Sequence, residues 1–244
     1  MLKSELLTSL GLRTFVVFDF ETTGLSPETD RLIEIAALKF VDGKVADRFV
    51  TLVNPGFPIS AMITDITGIS NKMVSGSPKE DDLVDEFQEF LGDSPLVAHN
   101  ISFDWSFLTA LRRRFDQPEV ANPLYDTLSL SRTFLFDLPA FNLGTVSEHY
   151  GLSAEGSHRA EKDTENCGAI FLELVEEAAS YRLSVITRLL EILKPGSFAN
   201  QELYSALARE LVRKGLTKTG LVPPRRDHHM MNNTYFYEGD TDIS

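Results

Sequence analysis

Four carboxylates stand where hydrophobic periodicity calls for apolar side chains, and this limits what the chain can fold into. They are Asp19 and Glu21 in Phe18-Asp19-Phe20-Glu21-Thr22-Thr23-Gly24, Asp104 in His99-Asn100-Ile101-Ser102-Phe103-Asp104, and Asp163 in His158-Arg159-Ala160-Glu161-Lys162-Asp163. Burying an unpaired carboxylate is very costly, so such groups are paired, protonated or bound to metal. These four have no obvious buried Arg or Lys for each, which points to divalent cations.

The stripes can be followed residue by residue. Arg13 to Phe20 is a short, nearly continuous apolar run, the pattern of a strand buried on both faces. Alternation along that strand puts Phe15, Val17, Asp19 and Glu21 on one face, so two acids project together from its end. A helix is expected from about Asn100, a good N-cap residue, with an inward stripe of Asp104, Phe107, Leu108, Leu111 and Phe115. A later helix carries Asp163, Cys167, Ile170, Phe171, Leu174 and Ala178 on one face. Three elements thus each deliver acid to one end of an apolar layer. Singly, Asp104 or Asp163 reads as a cap or dipole partner; the Asp19-x-Glu21 pair on one strand face resists that reading.

Composition narrows the class. The chain of 244 residues has room for one good domain and a smaller appendage. Its one cysteine, Cys167, falls on a buried face and reads as a small core hydrophobe. No disulfide can form within the chain, which favours a reducing compartment. No apolar run is long enough to span a membrane, and residues 1–10 do not make a convincing signal peptide, so the expected location is cytoplasmic, with no membrane partner. Formal charge is −13, but it is unevenly spread: residues 181–244 carry +2 and residues 1–180 carry −15. That argues against extended duplex binding and leaves recognition of a strand end open. Glu80, Asp81, Asp82, Asp85, Glu86 and Glu89 read as one solvated helix face.

The rest of the pattern orders the elements. Strands are expected over 31–41 and 45–53, joined by an Asp42-Gly43 hairpin turn. Short helices are expected over 61–66 and 71–75, a longer one from Ser77-Pro78 to Leu91, a buried strand over 95–98 and a last strand over 124–127. Helices over 142–150 and 159–180 follow. The order βββαβαβα implies a mixed sheet covered by helices. Beyond it, 181–193 is amphipathic, Ser197 is placed to cap a helix to about Lys214, and 220–244 is polar and irregular. The expected division is a domain over 1–180, a helical extension over 181–219 and a polar tail over 220–244.

The ordered set Asp-x-Glu, His-Asn-x-x-Phe-Asp and His-x-x-x-x-Asp resembles the DEDDh family of 3′–5′ exonucleases, which includes the proofreading subunit of bacterial replicative DNA polymerase. The resemblance covers roughly 14–174. It implies a ribonuclease-H-like α/β fold with a mixed five-stranded sheet. It also implies hydrolysis at nucleic-acid 3′ ends, preferably single-stranded, with release of nucleoside 5′-monophosphates. The chemistry suits the residues. Two Mg²⁺ or Mn²⁺ ions about 3.5–4 Å apart clamp the two sides of an in-line displacement at phosphorus, and hard oxygen ligands suit them.

By the same resemblance, Asp19 bridges the ions, Glu21 and Asp163 complete the site that activates water, and Asp104 helps hold the second ion. His158, five residues before Asp163, is the general base, its ordinary pKa near 6.5 suiting proton abstraction at neutral pH. Arg159 stands where a sister subclass places Tyr. Thr22, Thr23 and Leu25 are expected at the substrate terminus, and His99 and Asn100 belong to the motif and shape the loop or touch substrate. Phe134, Phe136 and Phe141 lie on a stretch that could stack bases, though core packing suits most of them. Arg112-Arg113-Arg114 reads as a solvated helix face or a phosphate contact. The implied partner is a DNA 3′ end, with RNA as the alternative, and a polymerase or helicase reached through 181–244. A rival reading from another class is a nucleic-acid-binding or docking module of such an assembly; the full set of four acids and His158 favours catalysis.

Overall fold

The computed structural model describes residues 2–119, 121–152, 160–193 and 199–215. In chain order these form α1 (Leu2–Ser9), β1 (Thr14–Thr22), β2 (Leu32–Val41), β3 (Lys44–Leu52), α2 (Ala61–Thr67), α3 (Asn71–Val74), α4 (Glu80–Leu91) and β4 (Leu96–Ala98). They continue with α5 (Ile101–Arg114), β5 (Leu124–Asp126), α6 (Thr127–Phe134), α7 (Leu143–His149), α8 (Ala160–Ser180), α9 (Leu183–Ile192) and α10 (Gln201–Arg213). The expected five-stranded mixed sheet is present, in the order β3-β2-β1-β4-β5. β1–β2 and β2–β3 are antiparallel; β1–β4 and β4–β5 are parallel. The Asp42-Gly43 turn closes the β2–β3 hairpin with both residues at positive φ (50° and 77°), as a tight primed turn requires. No described helix is long and apolar enough to cross a membrane.

Two apolar layers flank the central strand. On one face Phe15 and Val17 of β1 and Leu38 and Phe40 of β2 pack against Cys167, Ile170, Phe171 and Leu174 of α8. On the other, Val16, Phe18 and Phe20 pack against Leu83 and Phe87 of α4 and Phe107 and Leu108 of α5. The expectation of a single apolar layer is therefore corrected: α8 and α5 lie on opposite faces, so Asp163 and Asp104 reach the end of β1 from opposite sides. A buried β1 has both faces apolar, and each must be covered by its own helix.

Gly168 sets how closely α8 approaches the sheet. A Cβ there would collide with the ring of Phe40. The glycine thus lets α8 lie against β2, on the side where Phe40 stacks on Phe15 (centroids 5.0 Å apart).

Two helices were not foreseen, α1 and α6. The first tucks Leu7 and Leu10 into the α8-side core. The second starts where the expected last strand ends, because Asp126 caps it by accepting the Leu128 N–H (3.1 Å). The helices after α8 join the same core through Ile186, Leu203, Tyr204 and Leu207. Asn200 stitches them to the sheet edge: its N–H donates to the Leu124 carbonyl (2.9 Å), and its side chain accepts from Asp126 N–H (2.9 Å) and donates to the Asp126 carbonyl (3.1 Å). Ser197, expected to cap α10, and the 220–244 tail lie outside the described residues.

Gly168→Ala is expected to destabilise the fold by about 1–3 kcal/mol, as overpacking does. Urea unfolding measures it; an unchanged midpoint would show that α8 and Phe40 have room to spare.

Candidate active site

The site is built where β1 outruns β4. The parallel ladder pairs Val16 with Leu96 and Val17 with Val97, and β4 ends at Ala98. Beyond that point the β1 edge has no strand partner on this side, and the Phe20 N–H donates instead to Asp104 Oδ1 (3.0 Å). Asp104 is buried, and this bond spends one carboxylate oxygen on the backbone. Asp104 comes into place because the chain bends sharply between β4 and α5, with Asn100 in the left-handed region (φ 68°). The expectation that Asn100 caps α5 with its side chain is corrected. Asp126 does so, its Oδ1 accepting from Asn100 N–H (2.9 Å) and, at 3.4 Å, from Ile101 N–H. A residue in the left-handed region turns its side chain away from the capping geometry, which is normally extended.

On the α8 side, Asp19 pairs across the strands with Ala36, and Glu21 pairs with Glu34. Facing residues of antiparallel strands share one side of the sheet, so Asp19, Glu21 and Glu34 point toward α8. Asp163 arrives from the first turn of α8. These groups feel one another. Burial, then the negative charges of Asp163 and Glu34, push the Asp19 carboxyl up to about 7. Burial, then Asp19, Glu34 and Asp163, push Glu21 up to about 8. Asp104 is raised well above the carboxylate range, chiefly by burial and then by Asp19, against the hydrogen bond from Phe20. Asp19 keeps part of its surface open although it is closely surrounded by protein.

Glu34 was missed in the sequence. It sits within an otherwise apolar strand, is only 2% exposed, and accepts a long hydrogen bond (3.4 Å) from the Ala160 N–H at the start of α8. A lone acid inside Leu-Ile-Glu-Ile-Ala-Ala-Leu was the available signal. His158 and Arg159 lie outside the described residues.

Around these acids, Thr22 is buried and its hydroxyl donates to the Gly24 carbonyl (2.6 Å). Thr23 donates to Asp30 Oδ1 and accepts from the Arg31 N–H (both 3.0 Å). Leu25 is 85% exposed at the tip of the same loop. His99 has both ring nitrogens engaged, with Thr127 Oγ1 and with the Phe141 carbonyl (both 2.9 Å), and burial lowers its pKa. Phe134 is core, Phe141 packs against it, and Phe136 is exposed. Cys167 is buried, its thiol pushed up by desolvation.

The arginine run is solvated only at Arg113. Arg112 is buried, donates to Gln88 (2.7 Å) and has its pKa lowered to about 10 by desolvation. Arg114 is ion-paired with Glu80, and Arg113 reaches Glu28 (3.3 Å). Glu80, expected among solvated acids, is buried by that pairing.

Among the described residues, no three His, Cys, Asp or Glu side chains form a ready-made metal cage. The donors nevertheless suit a hard cation. They are carboxylate oxygens held near one another with raised pKa values, and Mg²⁺ in particular uses few protein carboxylates and keeps waters and substrate oxygens.

Residues 16–171 match the family model described as Exonuclease. The chain belongs to the exonuclease family. It is 39% identical over 188 residues to the DNA polymerase III PolC-type of Latilactobacillus sakei, covering 77% of this chain and 13% of that protein. To the DNA polymerase III PolC-type of Streptococcus pneumoniae it is 33% identical over 238 residues, covering 97% of this chain and 16% of that protein. It therefore spans a small part of these relatives' length. Among solved structures it resembles Exonuclease X in complex with 5′ overhanging duplex DNA (26% identity, TM-score 0.53, 66% of this chain and 91% of that one). It shares its fold with the nuclease domain of 3′hExo, a DEDDh family member bound to rAMP (19% identity, TM-score 0.58, 68% and 92% of the two chains). The resemblance read from the three motifs is borne out, as is the ribonuclease-H-like sheet.

The raised carboxyls make a prediction for the metal-free protein. Asp19 and Glu21 have ordinary values of 3.8 and 4.5 and folded values of about 7 and about 8. Between those limits the folded state binds more protons than the unfolded chain, so stability must fall as pH rises. Thermal unfolding in EDTA from pH 4 to pH 8 should show that fall, and Asp19→Asn should flatten it. A melting temperature that rose across the window would contradict the arrangement.

Proposed function

We propose that this exonuclease is a metal-dependent 3′–5′ enzyme. In this reading it removes nucleoside 5′-monophosphates from the 3′ ends of nucleic acid, single-stranded DNA first. The observation that carries the reading is the gathering of Asp19, Glu21 and Asp163 on one side of the β1 terminus and Asp104 on the other, with Asp163 raising the proton affinity of Asp19 and Glu21, and Asp19 raising that of Glu21 and Asp104. Divalent cations bound there, Mg²⁺ or Mn²⁺, would supply a lowered pKa for the attacking water and neutralisation of charge on the phosphate oxygens.

The chain's own residues then do the following. Asp19, Glu21 and Asp163 would hold the cations on the α8 side. Asp104, with one oxygen committed to Phe20 N–H, would offer its other oxygen from the α5 side. His158 takes the proton from the attacking water, as the family motif implies. The hydroxyls of Thr22 and Thr23 are spent inside their own loop, which leaves main-chain groups beside Glu21 to meet the terminal 3′-hydroxyl. Leu25, exposed beside them, wedges against the last base. His99 and Asn100 act through the wall they build, one by bridging Thr127 and Phe141 and the other by the turn into α5. Solved structures of the same fold are in keeping with this: E. coli exonuclease I in complex with a dA16 oligonucleotide, and its zinc-bound form with single-stranded DNA.

The test is hydrolysis of 3′- and 5′-labelled single-stranded DNA and RNA with Mg²⁺, Mn²⁺ or EDTA. Mononucleotide release from 3′ ends, abolished by EDTA and by Asp163→Ala or Asp19→Ala with the fold intact, is expected. Near-normal turnover by either variant would overturn the reading.

A second reading rests on the PolC-type relatives, whose match reaches across 238 residues and so extends past α8. The chain, through 181–244, would dock on a replicative polymerase. Co-elution with such a polymerase in size exclusion is expected, and its absence would count against docking without touching catalysis.

A further inference from the structure

The 23–31 loop leaves the sheet directly after Glu21 and Thr22 and returns at Leu32. It is tied from inside by Asp30, whose carboxylate accepts from Thr23 Oγ1 (3.0 Å) and Ser26 N–H (2.9 Å). Gly24 leaves room for this, since a Cβ there would meet the Asp30 carboxylate at 2.5 Å. It is tied from outside by Arg114, in the last turn of α5. The Arg114 guanidinium donates to the carbonyls of Pro27 (3.1 Å) and Asp30 (3.4 Å) and to Glu80 Oε2. The other Glu80 oxygen accepts from Leu32 N–H (2.9 Å), where the loop re-enters the sheet. Glu80 is 6% exposed, so the pair is shielded from water. A planar guanidinium can serve two carbonyls and a carboxylate at once; an ammonium cannot hold the same fork.

We propose that Arg114, fixed by Glu80, is a positioning residue for the substrate. It pre-orders the 23–31 loop, so that Leu25 and the main chain after Glu21 meet a strand terminus without first losing conformational freedom. The proposal rests on the exonuclease reading above. Its signature is a binding defect without a chemical one. Arg114 stands at the opposite end of α5 from Asp104, roughly 15 Å along the helix axis, and is engaged with loop carbonyls, so its loss weakens the encounter and spares the hydrolytic step.

The experiment combines steady-state kinetics on single-stranded DNA with amide hydrogen exchange of the same proteins. Arg114→Met is expected to raise KM about tenfold with kcat within about twofold, the order expected from re-ordering a few residues. Exchange should accelerate over 23–31 while the amides of β1 stay protected. Because Arg114→Met leaves the buried Glu80 with only the more distant Arg31 guanidinium (3.7 Å) and the Leu32 N–H, Arg114→Lys is the second variant. It keeps the charge but loses the fork, and an intermediate KM with the same loop exchange is expected. Unchanged exchange in the loop, or a loosened loop with unchanged KM, would overturn the proposal. Failure of wild-type protein to hydrolyse any substrate would instead overturn the functional reading, and the exchange data would still report the anchor.

Discussion

Everything at this site depends on crowding carboxylates at the end of one buried strand. Burial alone raises the proton affinity of Asp19 and Glu21, and their neighbours raise it further. Such a cluster stores unfavourable electrostatic energy unless protons or cations relieve it. The fold tolerates it because the strands and helices that carry the acids are anchored by apolar layers, with Phe15, Val17 and Phe171 on one face and Phe18, Phe20 and Phe107 on the other.

The geometry follows from one mismatch of strand length. β1 continues past the end of β4, and the exposed ladder edge is completed by a side chain rather than a strand. That side chain is Asp104, which ties α5 to the strand bearing Asp19 and Glu21. On the opposite face, Gly168 lets α8 lie close to the sheet, and Glu34 reaches the first turn of the helix that brings Asp163. Backbone satisfaction and tight packing therefore position groups whose mutual repulsion would otherwise drive them apart.

Much of this was legible in the sequence, for a physical reason. Periodicity reports burial, so an acid at the head of an apolar stripe stands out, and Asp19, Glu21, Asp104 and Asp163 were found that way. Alternation within β1 put Asp19 and Glu21 on one face, and the pairing of the strands agrees. What periodicity cannot report is a partner distant in sequence. Glu34 became part of the site only through the register that sets it opposite Glu21. Glu80 and the arginines of α5 looked solvated because the fold, not the local sequence, brings Arg114 over Glu80. Asn100 looked like a cap, and the capping oxygen came instead from Asp126 on β5. Helix α6 was hidden because its cap sits at the end of a strand.

The most direct test of the account is calorimetric titration of the apo-protein with Mn²⁺ at pH 7 in buffers of different ionisation enthalpy. If Asp19 and Glu21 share raised proton affinities, cation binding must expel protons, on the order of one per protein at this pH. The apparent heat should then change systematically from buffer to buffer, and Asp19→Asn with Glu21→Gln should diminish the change. Heats that were the same in every buffer would contradict the claim that these carboxylates act as one electrostatic unit.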